Sequence, residues 1–306
     1  MKGLHLAEAY YRRLGLPMIR ERFSAYQDRL AAGLAGPGSE CFGFDDELSR
    51  DHDWGPAFCL WLTADDYGLF GDSLQNAYQE LPPIFEGFGP RQESPGEGWR
   101  VGVSRTADFF RRFTGLDRPP MTLPEWLRIP EQNLAVCTNG KIFSDPLGEF
   151  TRWREALLAY YPEDVRLKKI ASLCITIAQT GQYNFMRSVK RRETFSASYS
   201  AVKFCADAIL LVFLLNRRYA PFYKWLHRAV RDLPLLGPVV YERVEALLKT
   251  VDPGRQEEIM EAVSVLLADE LRRQDLSDSP SDFLLDHAPR VQVKIADARL
   301  RQHLTA

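Results

Sequence analysis

The chain has no Cys-x-x-Cys pair, no Gly-Lys-Ser/Thr phosphate loop and no Gly-x-Ser-x-Gly elbow. Those gaps remove the simplest routes to a dithiol or zinc site, a P-loop NTPase and an α/β-hydrolase. Histidine is scarce: five residues, none paired with another at ligand spacing, which argues against zinc. Excess charge of either sign is also missing, and a net charge of −2 argues against a protein that coats nucleic acid by bulk electrostatics, while leaving local basic patches open. The most apolar segment, 208–215, is too short to span a bilayer and runs into Arg217 and Arg218, so it reads as a buried helix. Residues 1–8 lack the apolar core of a signal peptide. The five cysteines (41, 59, 137, 174, 205) are odd in number and widely scattered, a pattern of reduced thiols and a cytoplasmic location. A membrane partner is not expected.

What is present is an ordinary globular composition, 45% apolar and 26% charged over 306 residues, enough for one large core or two modest ones. Residues 4–28 read as helical, with a break near Gly15-Leu16-Pro17. Strands are expected at 30–35, 51–62 and 99–104, and helices at 73–80 and 107–113. Between them, 81–98 is rich in Pro and Gly and long for a compact domain, which suggests a flap or a mobile loop. Asn139-Gly140, between 134–138 and 141–145, is a strong hairpin signal. Past Gly148 the strand signals fade. Helices are expected at 151–160, 163–180, 196–217, 223–231, 238–250, 254–274 and 291–303. The fold class is therefore α+β, with an α+β domain over 1–149 and an all-helical domain over 150–306.

The most distinctive stretch runs from Gly38 to Trp54. It holds six carboxylates (Glu40, Asp45, Asp46, Glu47, Asp51, Asp53) against the single Arg50. Like charges this dense repel unless water or a cation screens them. Asp51 and Asp53 open the expected strand 51–62, where period-two alternation would put both carboxylates on one face and His52 and Trp54 on the other. Two carboxylates at a strand start, preceded by the Gly38-Ser39 turn, suit a hard divalent cation, Mg²⁺ or Mn²⁺. Gly33-x-x-Gly36-x-Gly38 also follows a strand-like run, yet no suitable helix start follows it, so a dinucleotide fingerprint is not supported.

A Gly-Ser turn followed after eleven residues by Asp51-His52-Asp53 resembles the motif of the nucleotidyltransferase superfamily, the polymerase-beta-like fold. The longer string, with Asp-Asp-Glu, Ser-Arg-Asp-His-Asp and Trp-Gly-Pro in order, looks like an uncharacterised bacterial family within it. The likeness extends to Asn139-Gly140-Lys141-Ile142-Phe143-Ser144-Asp145-Pro146, to Gly181-Gln182-Tyr183-Asn184 and to the stretch from Leu215 to Trp225. The layout is similar to that of antibiotic nucleotidyltransferases, a mixed sheet followed by a helical bundle that closes the active-site cleft. The resemblance implies transfer of a nucleoside monophosphate from a nucleoside triphosphate to a hydroxyl acceptor, with release of pyrophosphate; the expected acceptor is a small molecule.

The resemblance also implies roles. Asp51 and Asp53 would hold one or two magnesium ions, and Gly38 and Ser39 would hold the terminal phosphates. A third carboxylate is sought on 99–104, where Gly102 stands at the first position to look. Asp145 is the substitute as catalytic base and Asp108 the next candidate; Asp145 precedes Pro146, so a turn-forming role is equally open. From the helical half, Arg192, Lys203 and Lys224 are candidates to meet the nucleotide. Gln182, Tyr183 and Asn184, after a helix end at Gly181, read first as capping residues, with ligand contact as the alternative. Two alternatives stand beside this reading: a nucleotide-binding or regulatory protein without turnover, and a transferase that modifies proteins.

Overall fold

The structure, a computed structural model, describes residues 1–91 and 100–302. The protein is α+β, with a four-stranded mixed sheet and a helical C-terminal region. Two compact units divide the chain: residues 1–121 with 128–159, and 122–127 with 160–306.

The sheet belongs to the first unit. Its strands are β1 (Leu30–Leu34), β2 (Cys59–Leu62), β3 (Gly102–Arg105) and β4 (Lys141–Ser144), in the order β3-β2-β1-β4. β1 runs antiparallel to both β2 and β4, while β2 and β3 are parallel. β1 and β2 are buried along their whole length, so both faces of the sheet are covered and their sequences show no polar alternation. On one face Leu30, Ala32, Leu60, Leu62 and Val103 pack with Tyr10, Ile19 and Leu74 from flanking helices and with Phe58 from the chain just before β2. On the other, Trp61 stacks on Phe150 at 3.9 Å and meets Phe109 at 5.5 Å. Phe150 comes from the helix Glu149–Leu158, which is why that helix groups with the sheet and the first unit runs on to Ala159.

Two strand expectations need correction. The run 51–62 is a strand only at Cys59–Leu62; residues 51–58 are bends and irregular chain. Residues 134–138 form no hairpin arm but the end of a helix, Glu131–Thr138. Leu134, Ala135, Val136 and Cys137 are all buried, and a short run that is apolar throughout reads the same way in a strand or a core helix. Pro130 and Glu131 at the start decide for helix. Asn139-Gly140 then serves another purpose. The Asn139 side chain donates to the Gly36 carbonyl at 2.7 Å and accepts from the Gly36 amide at 3.1 Å, clamping the end of β1. Gly140 has φ 67°, and a Cβ there would lie 2.0 Å from the Leu34 carbonyl oxygen.

Of the expected loop 81–98, residues 92–98 lie outside the described residues, as does Trp99 at the start of the expected third strand. The described part is anchored: Tyr10 donates to the Pro82 carbonyl at 3.0 Å, and Phe88 packs edge-on against Trp54 at 5.1 Å.

In the helical unit, Thr194–Leu215 is the central helix, packed on Glu163–Ile177 and Pro253–Arg273. It is long and apolar enough to cross a membrane by length and composition, but 67% of its apolar window is buried inside the protein. The chain does not end a helix at Gly181. It continues through a wide turn, Ala178–Phe185, and a Cβ on Gly181 would lie 2.3 Å from the Phe204 ring, so glycine lets two helices approach. Gln182 bonds Glu261 and accepts from the Leu284 amide at 2.9 Å. The buried Arg166 ties Glu163, the Leu214 carbonyl and Gln274 together at 2.7–2.9 Å.

His287 is fully buried, and its Nε2 lies 2.7 Å from the Ser281 carbonyl oxygen, which fixes Nε2 as the protonated nitrogen. Burial pushes the imidazole below its usual value of 6.5. The unfolded chain therefore takes up this proton before the folded one, and stability present above pH 6.5 is lost as pH falls. Thermal unfolding followed from about pH 7 to about pH 5 is expected to show a smaller loss in His287→Gln than in the wild type. Gly140→Ala is expected to cost about 1–3 kcal/mol from left-handed backbone strain, with the steric clash adding to it, read by urea unfolding.

Candidate functional site

The acidic segment leaves β1 through Gly36-Pro37-Gly38 and makes a tight turn over Ser39–Phe42. Its carboxylates do not gather on one face. Glu40 is buried and pairs with Arg91 at 3.1 Å. Asp45, also buried, accepts from the Gly3 amide at 2.7 Å and the Trp54 indole at 3.2 Å, with the Lys2 ammonium at 3.4 Å. Asp46 accepts from the Ser49 amide at 3.1 Å, closing a turn. The repulsion expected from this stretch is thus relieved by cations drawn from other parts of the unit and by donors both within and outside the stretch.

Asp51 and Asp53 part company. The Asp51 side chain is 67% exposed and lies 2.7 Å from the His52 ring. Asp53 is 6% exposed, adopts a left-handed backbone at φ 52°, and pairs with Arg100 at 3.2 Å. The expectation of a shared strand face fails because the strand begins only at Cys59, and the bends before it turn the two carboxylates separately. In this arrangement the pair does not fit a divalent ion: one carboxylate faces solvent, and the other is held by a guanidinium where the cation would bind. Among the described residues no group of three or more His, Cys, Asp or Glu side chains is placed to hold a metal.

Gly38 has a packing reason for being glycine. A Cβ there would lie 2.4 Å from a Glu40 carboxylate oxygen, so Gly38 lets that side chain fold back against the turn. Ser39 begins the turn and is half-buried. Asp145 caps the start of the helix Glu149–Leu158, accepting from the Thr151 amide at 2.7 Å; that is the turn-forming role. The three basic candidates lie in the helical unit. Arg192 is exposed at φ 60° beside a cavity of about 220 Å³ that Phe185 and Thr194 also line. Lys203 bonds both oxygens of the buried Asp207 at 2.5 Å, and Lys224 lies over the rings of Phe222 and Trp225.

The feature that single-residue reading missed is a cavity of about 340 Å³ in the sheet unit. Gly36 and Pro37, immediately before Gly38-Ser39, form one wall. Ser104 and Arg105 of β3 and Arg100 before it form another, and the first helix after β3, Thr106–Thr114, supplies Asp108, Phe109, Arg112 and Phe113. The lining thus contains three arginines and one aspartate. Asp108, the second candidate for the missing acid, lies here, bonded to Arg105 at 2.5 and 3.1 Å, with the Arg111 guanidinium at 3.8 Å. Arg112 stands over the Phe113 ring at 5.9 Å, and Tyr67 adds another aromatic surface. Volume, aromatic walls and convergent cations suit a small ligand with an anionic group and a planar ring. The i, i+4 spacing of Asp108 and Arg112 is legible in the sequence; which faces meet depends on packing.

Comparison with known proteins adds one match. Residues 126–226, about a third of the chain, match the model of a family described as a domain of unknown function (DUF4037). The matched region takes in Asp145, Arg192, Lys203 and Lys224 but neither the acidic segment nor the cavity-lining residues. Searches of curated proteins and of solved structures found no match.

Cys41 and Cys59 lie close to the site, and all five cysteines are buried free thiols. Burial pushes Cys41 well above its ordinary value and Cys59, Cys174 and Cys205 up to about 12, so thiolate is scarce at neutral pH. Iodoacetamide at about pH 8 is expected to label all five only after unfolding; rapid native labelling of Cys41 or Cys59 would contradict this placement.

Proposed function

We propose that the chain is a nucleotidyltransferase that binds a nucleoside triphosphate in the basic cavity of its sheet unit. The observation that carries this is the cavity itself: three arginines and aromatic side chains converge beside the Gly36-Pro37 turn that leads into Gly38-Ser39. Arginine is suited to phosphate oxygens by its planar, forked donors, and the aromatic side chains offer faces for a base. The resemblance of the Gly-Ser and Asp-x-Asp motif to nucleotidyltransferases supplies the reaction class. A hydroxyl oxygen of a small acceptor attacks the α-phosphorus, the bond to pyrophosphate breaks, and the hydroxyl proton passes to a carboxylate. Asp108 is the carboxylate in the cavity wall and the best-placed base. The superfamily would place Mg²⁺ or Mn²⁺ on Asp51 and Asp53; as these residues stand they do not fit the ion, and no step is assigned to it.

A second reading, nucleotide binding without turnover, is favoured by two observations. β3 carries Gly102 where a third carboxylate was sought, and Asp145 is committed to its helix cap. Fluorescent triphosphate titration and release of pyrophosphate from α-labelled triphosphate over a panel of hydroxyl acceptors separate the two. For the transferase, Arg112→Ala is expected to weaken triphosphate binding about tenfold or more, as loss of a charge-assisted contact does. Asp108→Asn is expected to abolish transfer with binding largely kept. Binding without transfer in the wild type would establish the second reading, and no triphosphate binding would exclude both.

A further inference from the structure

The central helix Thr194–Leu215 is buried along its second half but bare at its start. Phe195, Tyr199 and Val202 are 81%, 58% and 58% exposed, and their i, i+4, i+7 spacing lines them along one face. The Phe195 and Tyr199 rings stack at 6.2 Å. Single apolar side chains on a surface need no explanation, whereas a row at this spacing is the shape a second helix packs against.

The foot of this stripe is basic. Residues 187–203 hold five cations and one carboxylate, Glu193. Lys203 is committed to Asp207, and Arg187 to the hydroxyl and ring of Tyr183. Lys190, Arg191 and Arg192 are exposed, and among the described residues none of their side chains has an ion-pair or hydrogen-bond partner. Arg192 is the clearest case. Its amide donates to the Val189 carbonyl and the next amide to the Ser188 carbonyl, both at 2.9 Å, which ends the helix Met186–Lys190 on a residue at φ 60°. Glycine takes that conformation without strain, so the backbone gives no reason for arginine. The side chain instead lines the cavity of about 220 Å³, together with apolar Phe185 and Ala201 and polar Ser198 and Gln256. Ser198 lies one turn from both Phe195 and Val202, so cavity and stripe adjoin.

We propose that this face docks an acidic amphipathic helix of a protein partner. Its apolar side chains would lie on the stripe, its carboxylates on Lys190, Arg191 and Arg192, and one side chain in the cavity. The surface is in the helical unit and stands apart from the nucleotide reading, which concerns the sheet unit. Charge complementarity selects the occupant. A second copy packed through the same stripe would bring no carboxylate to the cations, because the one acid later in the helix, Asp207, is buried on Lys203. An anionic lipid surface needs neither the helical spacing nor a cavity the size of a side chain. Nucleic acid would use the cations and the rings but not Val202.

The test uses the full chain as bait for a displayed library of peptides about 15 residues long, enough for the two helical turns the stripe spans. Peptides that also bind Tyr199→Ser are discarded. Survivors are expected to carry apolar residues at helical spacing and a surplus of Asp and Glu. By fluorescence anisotropy, the best of them is expected to bind Arg191→Glu and Arg192→Gly roughly tenfold more weakly than wild type, and to lose affinity as salt is added. Arg192→Gly relieves the left-handed residue, so its thermal stability is expected to hold while its affinity falls, which separates docking from a structural role. No surviving peptide, or survivors without an acidic surplus, overturns the proposal. So does tighter, Tyr199-dependent binding of phosphatidylserine vesicles or polyuridylate, which gives the face to a membrane or to RNA. A dimer in sedimentation that Tyr199→Ser dissociates overturns it as well. Circular dichroism establishes folding; if Tyr199→Ser does not fold, the more exposed Phe195→Ser takes its place. No arm contains a nucleotide, so its outcome is independent of the triphosphate assay.

Discussion

Burying a carboxylate next to an apolar sheet is the constraint around which the first unit is arranged. An ionised group taken out of water has to be matched by a cation or by several donors. Glu40, Asp45 and Asp53 are each matched by a cation far away in sequence, Arg91, Lys2 and Arg100, and Asp45 also by the Gly3 amide and the nearby Trp54 indole. These pairings fasten the N-terminus, the chain before β2 and the chain before β3 onto one irregular segment. The segment owes its shape to them, since it contains only short helical turns of its own. Removing one partner would leave a charge stranded in the interior, a larger loss than any surface ion pair represents.

The fold class was legible because it depends on patterns of many residues. The shift to helical periodicity after Gly148, the apolar run of β1 and the helices Thr106–Thr114 and Pro253–Arg273 follow from spacing alone. The errors share a cause. The run 134–138 is apolar at almost every position, and periodicity cannot then distinguish a buried strand from a buried helix turn. Asp51 and Asp53 were placed on one face by extending a strand backward from Cys59, but Gly55-Pro56 intervenes, and a proline with a glycine before it favours irregular chain over strand. The acidic block was correctly legible as a place where charge needs compensation. The source of that compensation was not, because Arg91 and Arg100 are brought in by the tertiary fold.

The helical unit handles its buried Arg166 differently. Arg166 is satisfied by Glu163 one turn earlier, by a carbonyl near the end of the central helix and by Gln274 at the end of Pro253–Arg273. Its five donors make it a three-way fastener for helix ends, where carbonyls would otherwise lack partners. Lys203 on Asp207 is a simpler case of the same economy, a pair within one helix. Both cations are occupied by structure, as are Arg100 on Asp53 and Arg105 on Asp108 in the sheet unit.

The clamp between Gly36 and Asn139 joins residues 103 positions apart, and beside it β4 completes the sheet against β1. During synthesis, β1 therefore leaves the ribosome long before its second neighbour exists. At translation rates of 5–20 residues per second, its edge stays unpaired for on the order of ten seconds. An apolar strand with a bare edge is a template for pairing with other chains. The nascent chain thus passes through a window in which a strand destined for full burial is an adhesive surface, and that window closes only when Lys141–Ser144 arrives.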